Sequence, residues 1–239
     1  MIKIEQLLNP VLKIEIINKQ LKIVEERNKT NDTLREVIIT EIPDNMVAFT
    51  TDKEITDFYC KNKEKENCLY IPQKARNQFL NPLSKEDDML LKKINKTCDA
   101  ILLQYKNEHE IACFLIEMKS DKPSASDYEA QLLNSKLFVE YLVLLFNQHV
   151  LKGQSKKIEI IDTQHILFYL DTNRKFLDKN KEKDKDKPRP LLLQEKIFRN
   201  DMITSEKEKI QRIPFEKSIY NYIKWEDILT GNIQYSESK

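Results

Sequence analysis

The pattern of hydrophobic and polar positions changes texture several times along the chain, and each change predicts an element. Residues 11–26, VLKIEIINKQLKIVEE, alternate apolar and polar side chains on both sides of Asn18-Lys19. Period two interrupted by turn-forming residues predicts a β-hairpin. A second pair of runs, Glu36 to Ile42 and Met46 to Thr51, flanks Pro43-Asp44-Asn45 and predicts another hairpin. The N-terminal part, residues 1–51, is therefore expected to form a small antiparallel sheet. Thr51 to Lys63 reads as a short helix, with Thr51 as N-cap and Glu54 in the capping-box position. Ser84 opens a charged helix to about Asn95, with Glu86, Asp87 and Asp88 in its first turn, where the helix dipole favours acids.

The pattern then tightens. Asp99 to Tyr105 is an apolar strand, and Lys106 to Glu110 is a polar turn. Ile111 to Met118 is a nearly continuous apolar run, which predicts a strand buried on both faces. A loop after Lys119 ends at Ser126, which with Glu129 forms a second capping-box pattern. The helix it opens is expected to run to about His149. Its residues Tyr128, Leu132, Leu133, Phe138, Tyr141, Leu142, Leu145 and Phe146 cover a broad apolar face that must pack on a sheet. Lys157 to Leu170 supplies one long strand or two short ones. Residues 174–190 carry eight basic and four acidic side chains, a local +4, and almost no apolar content. Such a stretch predicts a flexible excursion. The tail predicts a helix after Ser205 and an aromatic-rich segment in which Trp225 anchors a core or an interface.

Composition adjusts this picture in a few places. With 239 residues and 40% hydrophobic content, the chain can build one sizeable core. The expectation is a single α/β domain over 1–239, with its centre at about 84–170, hairpins at 1–51, a charged loop at 174–190 and a C-terminal extension at 191–239. Charged residues make up 33%, but the net charge is only +1, so nucleic-acid binding would have to come from local patches. Two glycines, Gly153 and Gly231, argue against a Rossmann or P-loop nucleotide site. The apolar run Tyr141 to Phe146 is too short to span a bilayer, and the N-terminus lacks a signal-peptide pattern. Four cysteines without CxxC spacing fit reduced thiols in a cytoplasmic protein without membrane attachment.

Candidate chemistry lies in the tight segment. Glu117 and Lys119 stand two apart at the end of a strand, so they project from one face. If the two strands form a hairpin around KNEHE, Asp99 at the start of the first lies opposite the end of the second. Two carboxylates, Asp99 and Glu117, with the backbone carbonyl of Met118, suit Mg²⁺ or Mn²⁺. Such a metal lowers the pKa of a bound water, and Lys119 is placed to orient that water and stabilise charge on phosphorus. The tripeptide Glu-x-Lys occurs twice in the chain, the other time as Glu237-Ser238-Lys239 in a polar tail. Glu117 differs because it ends a run of buried-type residues, where an unpaired carboxylate costs several kcal/mol.

The sequence CDAILLQYKNEHEIACFLIEMKSD, followed by AQLLNSKLFVEYL, resembles the core of the PD-(D/E)XK nuclease superfamily. The resemblance covers about 75 of the 239 residues. It implies a restriction-endonuclease-like mixed sheet flanked by helices, and Asp99, Glu117 and Lys119 as active-site residues. It also implies a supporting role for Gln131 on the following helix. Ser135 stands where one branch of the superfamily carries a tyrosine. An acid from an upstream helix often joins such sites, and Glu54 and Glu86 are the two candidates. The function so implied is a Mg²⁺-dependent endonuclease acting on DNA ahead of RNA, as a homodimer or a partner subunit, by analogy in anti-phage defence. The rival expectation is a catalytically silent nuclease-like subunit that binds or assembles within a larger defence complex.

Overall fold

The computed structural model describes residues 3–8, 10–24, 36–51, 97–119, 125–170, 189–190, 192–197, 207–215, 222–230 and 232–233. The expected helices at 51–63 and 84–95, apart from Thr51 itself, lie outside the described residues. So do the acids Glu54 and Glu86 and residues 174–188 of the charged stretch.

The first hairpin forms as the alternation predicts. Strands β1 (Lys13–Ile14), β2 (Ile16–Ile17) and β3 (Gln20–Val24) follow a short 3₁₀ turn, and β2 pairs antiparallel with β3. Asn18 and Lys19 take φ of 50° and 60°, the left-handed values that a two-residue hairpin turn demands. Strand β4 (Glu36–Thr40) pairs antiparallel with β3 and turns Val37 and Ile39 inward. The expected second hairpin does not form. Strand β5 (Met46–Phe49) leaves β4 and pairs with β1 on one side and β6 (Ala100–Tyr105) on the other. The cause is the intervening turn. Glu41 takes φ of 59°, the Ile42 N–H donates to the Lys19 carbonyl at 3.0 Å, and the Met46 N–H donates to the Pro43 carbonyl at 3.2 Å. The turn hands the chain from one layer to the next instead of reversing it within one sheet.

Strand β7 (Glu110–Lys119) pairs antiparallel with β6 around the KNEHE turn, where the Lys106 N–H donates to the Glu110 carbonyl at 2.9 Å. Helix α1 (Ala125–Leu145) follows and closes in a π-helical turn, Phe146–Val150. Strand β8 (Glu159–Leu170) is one continuous strand, parallel to β7. After β9 (Arg189–Pro190) and β10 (Leu192–Ile197), the segment expected to be a helix after Ser205 is instead strand β11 (Lys207–Phe215). It inserts between β8, to which it is parallel, and β10. Tertiary pairing overrides the helix-favouring Lys and Glu here, because Ile213 and Phe215 bury on one face and Ile210 on the other. Strand β12 (Tyr222–Lys224), helix α2 (Trp225–Thr230) and β13 (Asn232–Ile233) complete the described elements.

The result is an α/β architecture around a mixed seven-stranded sheet in the order β1-β5-β6-β7-β8-β11-β10. A four-stranded sheet, β12-β4-β3-β2, covers one face. There Phe114, Phe168 and Ile213 meet Ile23, Ile39 and Trp225. Trp225 anchors this core, edge-on to Phe114 at 4.7 Å. The other face is covered by α1 and the N-terminal 3₁₀ turn, through Ile101, Leu103, Leu115 and Leu167 against Tyr128, Leu132, Val139 and Leu142. Tyr141, expected within the buried face of α1, is instead 47% exposed beside Leu137 and Leu144. A bulge in β8 between the partners of Ile111 and Ala112 sets the site's geometry. It inserts Ile161 as an extra residue, reverses the alternation, and so turns His165, Leu167 and Tyr169 toward α1. Among the described residues no helix is long and apolar enough to cross a membrane.

Candidate active site

Pairing in the β6–β7 hairpin sets Ala100 opposite Ile116. Extending that register by one residue sets Asp99 opposite Glu117. Both lie on the face covered by α1, because Ile101 and Leu115, two residues along each strand, bury there. Lys119 continues the same face. The pattern that read as two apolar strands with charged ends therefore delivers three charged side chains to one edge of a buried layer.

Direct contacts hold each of them in place. The Glu117 side chain is 1% exposed, and its Oε1 is paired with the Lys119 ammonium, itself 25% exposed. Lys119 Nζ also donates to Gln131 Oε1 at 2.8 Å, and Gln131 Nε2 donates to the Thr97 carbonyl at 3.1 Å. The amide thus bridges the lysine of β7 to the backbone leading into β6. Asp99 Oδ2 accepts the Met118 N–H at 2.6 Å, which fixes the carboxylate against β7. The Met118 side chain points to the opposite face, into the hydrophobic core under the four-stranded sheet, so only its backbone takes part.

Sequence reasoning missed the role of Ser135. It is fully buried one turn after Gln131, and its Oγ accepts the Cys98 N–H at 2.9 Å. Gln131 and Ser135 together tie residues 97–98 to the helix and so hold Asp99 in place. Their separation of four residues, one helical turn, was the available signal. Cys98 itself is buried, and its thiol is pushed well above its ordinary pKa, first by burial and then by the nearby Glu117 and Asp99 carboxylates. It stays protonated and unreactive at neutral pH. The Sγ donates to the Ala100 carbonyl at 3.2 Å.

Of the expected site residues, Asp99, Glu117, Lys119, Gln131 and the Met118 backbone come together. The upstream acids Glu54 and Glu86 lie outside the described residues, and among the described residues no group of three or more His, Cys, Asp or Glu side chains gathers around a common point. No protein-family model matches the sequence, and no curated protein and no solved structure matches it.

Proposed function

We propose that this chain is a metal-dependent phosphodiesterase of the PD-(D/E)XK type, cutting DNA ahead of RNA. The observation that carries the reading is the direct contact network Asp99–Met118 and Glu117–Lys119–Gln131 at the end of β7, past the buried Ile111, Cys113 and Leu115 of the same face. The order of the described elements supports it: β5, β6 and β7 pair antiparallel, a helix follows, and β8 returns parallel to β7, which is compatible with the mixed sheet flanked by helices that the reading expects.

The donor set fits a hard divalent cation. Two carboxylates and a backbone carbonyl offer oxygen alone, and Glu117 is buried deeply enough to need a positive charge beside it. Asp99, Glu117 and the Met118 carbonyl would hold Mg²⁺ or Mn²⁺, which supplies an acidified water and polarises the phosphate. Asp99 is oriented for this by the Met118 N–H. Lys119 is held between Glu117 and Gln131, and in that place its ammonium stabilises negative charge that develops on a phosphate oxygen. Gln131 fixes the lysine without adding charge.

The experiment is cleavage of labelled DNA and RNA in Mg²⁺ by the wild type and by Asp99→Asn, Glu117→Gln and Lys119→Met. Each variant is expected to lose about 10²-fold or more in rate while keeping its circular dichroism spectrum. Cleavage that survives all three substitutions sinks the reading. A second reading, a silent nuclease-like binding subunit, is favoured by Leu137, Tyr141 and Leu144, which form an exposed apolar stripe on α1. Calorimetry with Mn²⁺ separates the two: binding abolished by Glu117→Gln supports the enzyme, and absence of binding supports the subunit.

A further inference from the structure

The site extends further across the sheet than the β6–β7 hairpin. Glu117 pairs with Leu167 of β8, and Leu167 pairs in turn with Arg212 of β11. Asp99, Glu117, Leu167 and Arg212 therefore stand in one row across four adjacent strands. All four lie on the face covered by α1, since Leu167 and Ile210 bury there. Two strand spacings, about 10 Å, separate the Glu117 and Arg212 backbones, and a long arginine side chain covers much of that gap.

The guanidinium is held in a defined place. Its carbon lies 5.2 Å from the centroid of the Tyr169 ring and 6.0 Å from that of Tyr128. Tyr169 is the register partner of Lys119, and Tyr128 lies one turn before Gln131 on α1. Both rings are buried. Each aromatic that positions Arg212 is therefore tied to a residue of the Lys119–Gln131 contact. Arginine keeps its charge at any working pH and offers a planar fork that matches phosphate geometry. An aromatic bed fixes the plane of that fork, and little side-chain freedom is then lost when it grips an anion.

We propose that Arg212 is a phosphate-binding residue of this site, gripping a backbone phosphate of the nucleic-acid strand beside the one that is cut, with Tyr128 and Tyr169 as its positioning residues. This rests on the nuclease reading. The cleavage machinery sits on β6 and β7, whereas Arg212 sits two strands away. Its loss should weaken the hold on the strand and misplace it without deleting any part of the metal-binding or water-orienting set.

The test uses the full chain carrying Glu117→Gln, with and without Arg212→Met, in titrations of a short fluorescein-labelled DNA over a range of salt. Arg212→Met is expected to weaken binding roughly 5- to 30-fold and to lower the salt slope by about one. In the cleavage-competent protein the same substitution should raise KM more than it lowers kcat. Arg212→Lys keeps a charge but loses the fork and the stacking, so it should keep the salt slope and still lose several-fold in kcat/KM. If Arg212→Met does not fold, Arg212→Lys decides alone, and wild-type kcat/KM in that variant overturns the proposal. A wild type that cleaves, paired with an Arg212→Met protein of unchanged affinity, salt slope and KM, overturns the phosphate subsite and leaves the nuclease reading standing. A wild type that neither cleaves nor binds DNA or RNA overturns both.

Discussion

The two faces of the central sheet solve the same packing problem differently. On the face under the four-stranded sheet, β7 contributes Ala112, Phe114, Ile116 and Met118, which all bury against hydrocarbon and aromatic neighbours. The face under α1 begins the same way, with Ile111, Cys113 and Leu115, and then changes to Glu117 and Lys119. Asp99, Gln131, Ser135 and Arg212 collect at or near the same end. Nothing in the fold requires this. A strand buried on both faces packs well with apolar side chains throughout, as the other face demonstrates, and a buried carboxylate costs several kcal/mol unless it is compensated. Glu117 follows three apolar inward positions of β7 on this face, and the Lys119 ammonium beside it offsets that cost.

That contrast can be broken most forcefully from the apolar side. Phe114→Ala removes a fully buried ring in edge contact with Trp225, and should lower unfolding free energy by about 3–5 kcal/mol in urea titrations. It should leave metal binding intact in the protein that remains folded. A smaller loss is expected from Lys119→Met on the polar side. That change strips the ammonium from Glu117 and should cost roughly 2–4 kcal/mol, less than for a fully buried pair because Lys119 is 25% exposed. Mg²⁺ should then raise the melting temperature more in Lys119→Met than in the wild type, as a cation returns to Glu117. An unchanged melting temperature in Lys119→Met would instead make the pair a solvated surface contact. Ser135→Ala leaves the Cys98 N–H without its partner and should cost about 1–2 kcal/mol.

The sequence carried the local parts of this account and missed the long-range ones. The β6–β7 hairpin was legible because a polar pentapeptide separates two apolar runs, and α1 because its apolar face is broad. The parting of β4 and β5 into different sheets was not. Each strand's alternation is satisfied by any partner, and the choice is made by the Ile42–Lys19 hydrogen bond. Lys207–Phe215 was misread as a helix for the same reason: its lysines and glutamates favour a helix locally, and only β8 and β10 on either side make it a strand. In the site, Asp99, Glu117, Lys119 and Gln131 were found because strand parity and one resemblance place them. Arg212 was invisible, since its link to Glu117 runs through two strand registers that no local pattern encodes.

A further prediction distinguishes the faces by pH. Cys98, Cys113 and Tyr105 all belong to the layer under α1, and burial raises the pKa of each. In Tyr105 the hydrogen bond to Glu5 adds to the rise. Above the unfolded thiol pKa, about 8.5, the unfolded chain loses protons that the folded chain keeps. The stability from these groups is therefore complete below that pH and is lost as pH climbs toward their folded values, by up to about 1.4 kcal/mol per pH unit for each thiol. Urea midpoints should be level from pH 6 to pH 8 and fall by pH 10, and Cys113→Ala should flatten the decline. A midpoint that stays constant to pH 10 would contradict the burial of these thiols.

The central claim is that the polar end of the α1-covered face is a divalent-cation site built for phosphodiester cleavage. Anomalous diffraction from crystals grown with Mn²⁺ tests it most directly. The account predicts one peak within coordination distance of Asp99, Glu117 and the Met118 carbonyl, absent from crystals of Glu117→Gln. Wild-type crystals that show no peak there, from protein that cleaves DNA in the same Mn²⁺ solution, would contradict it.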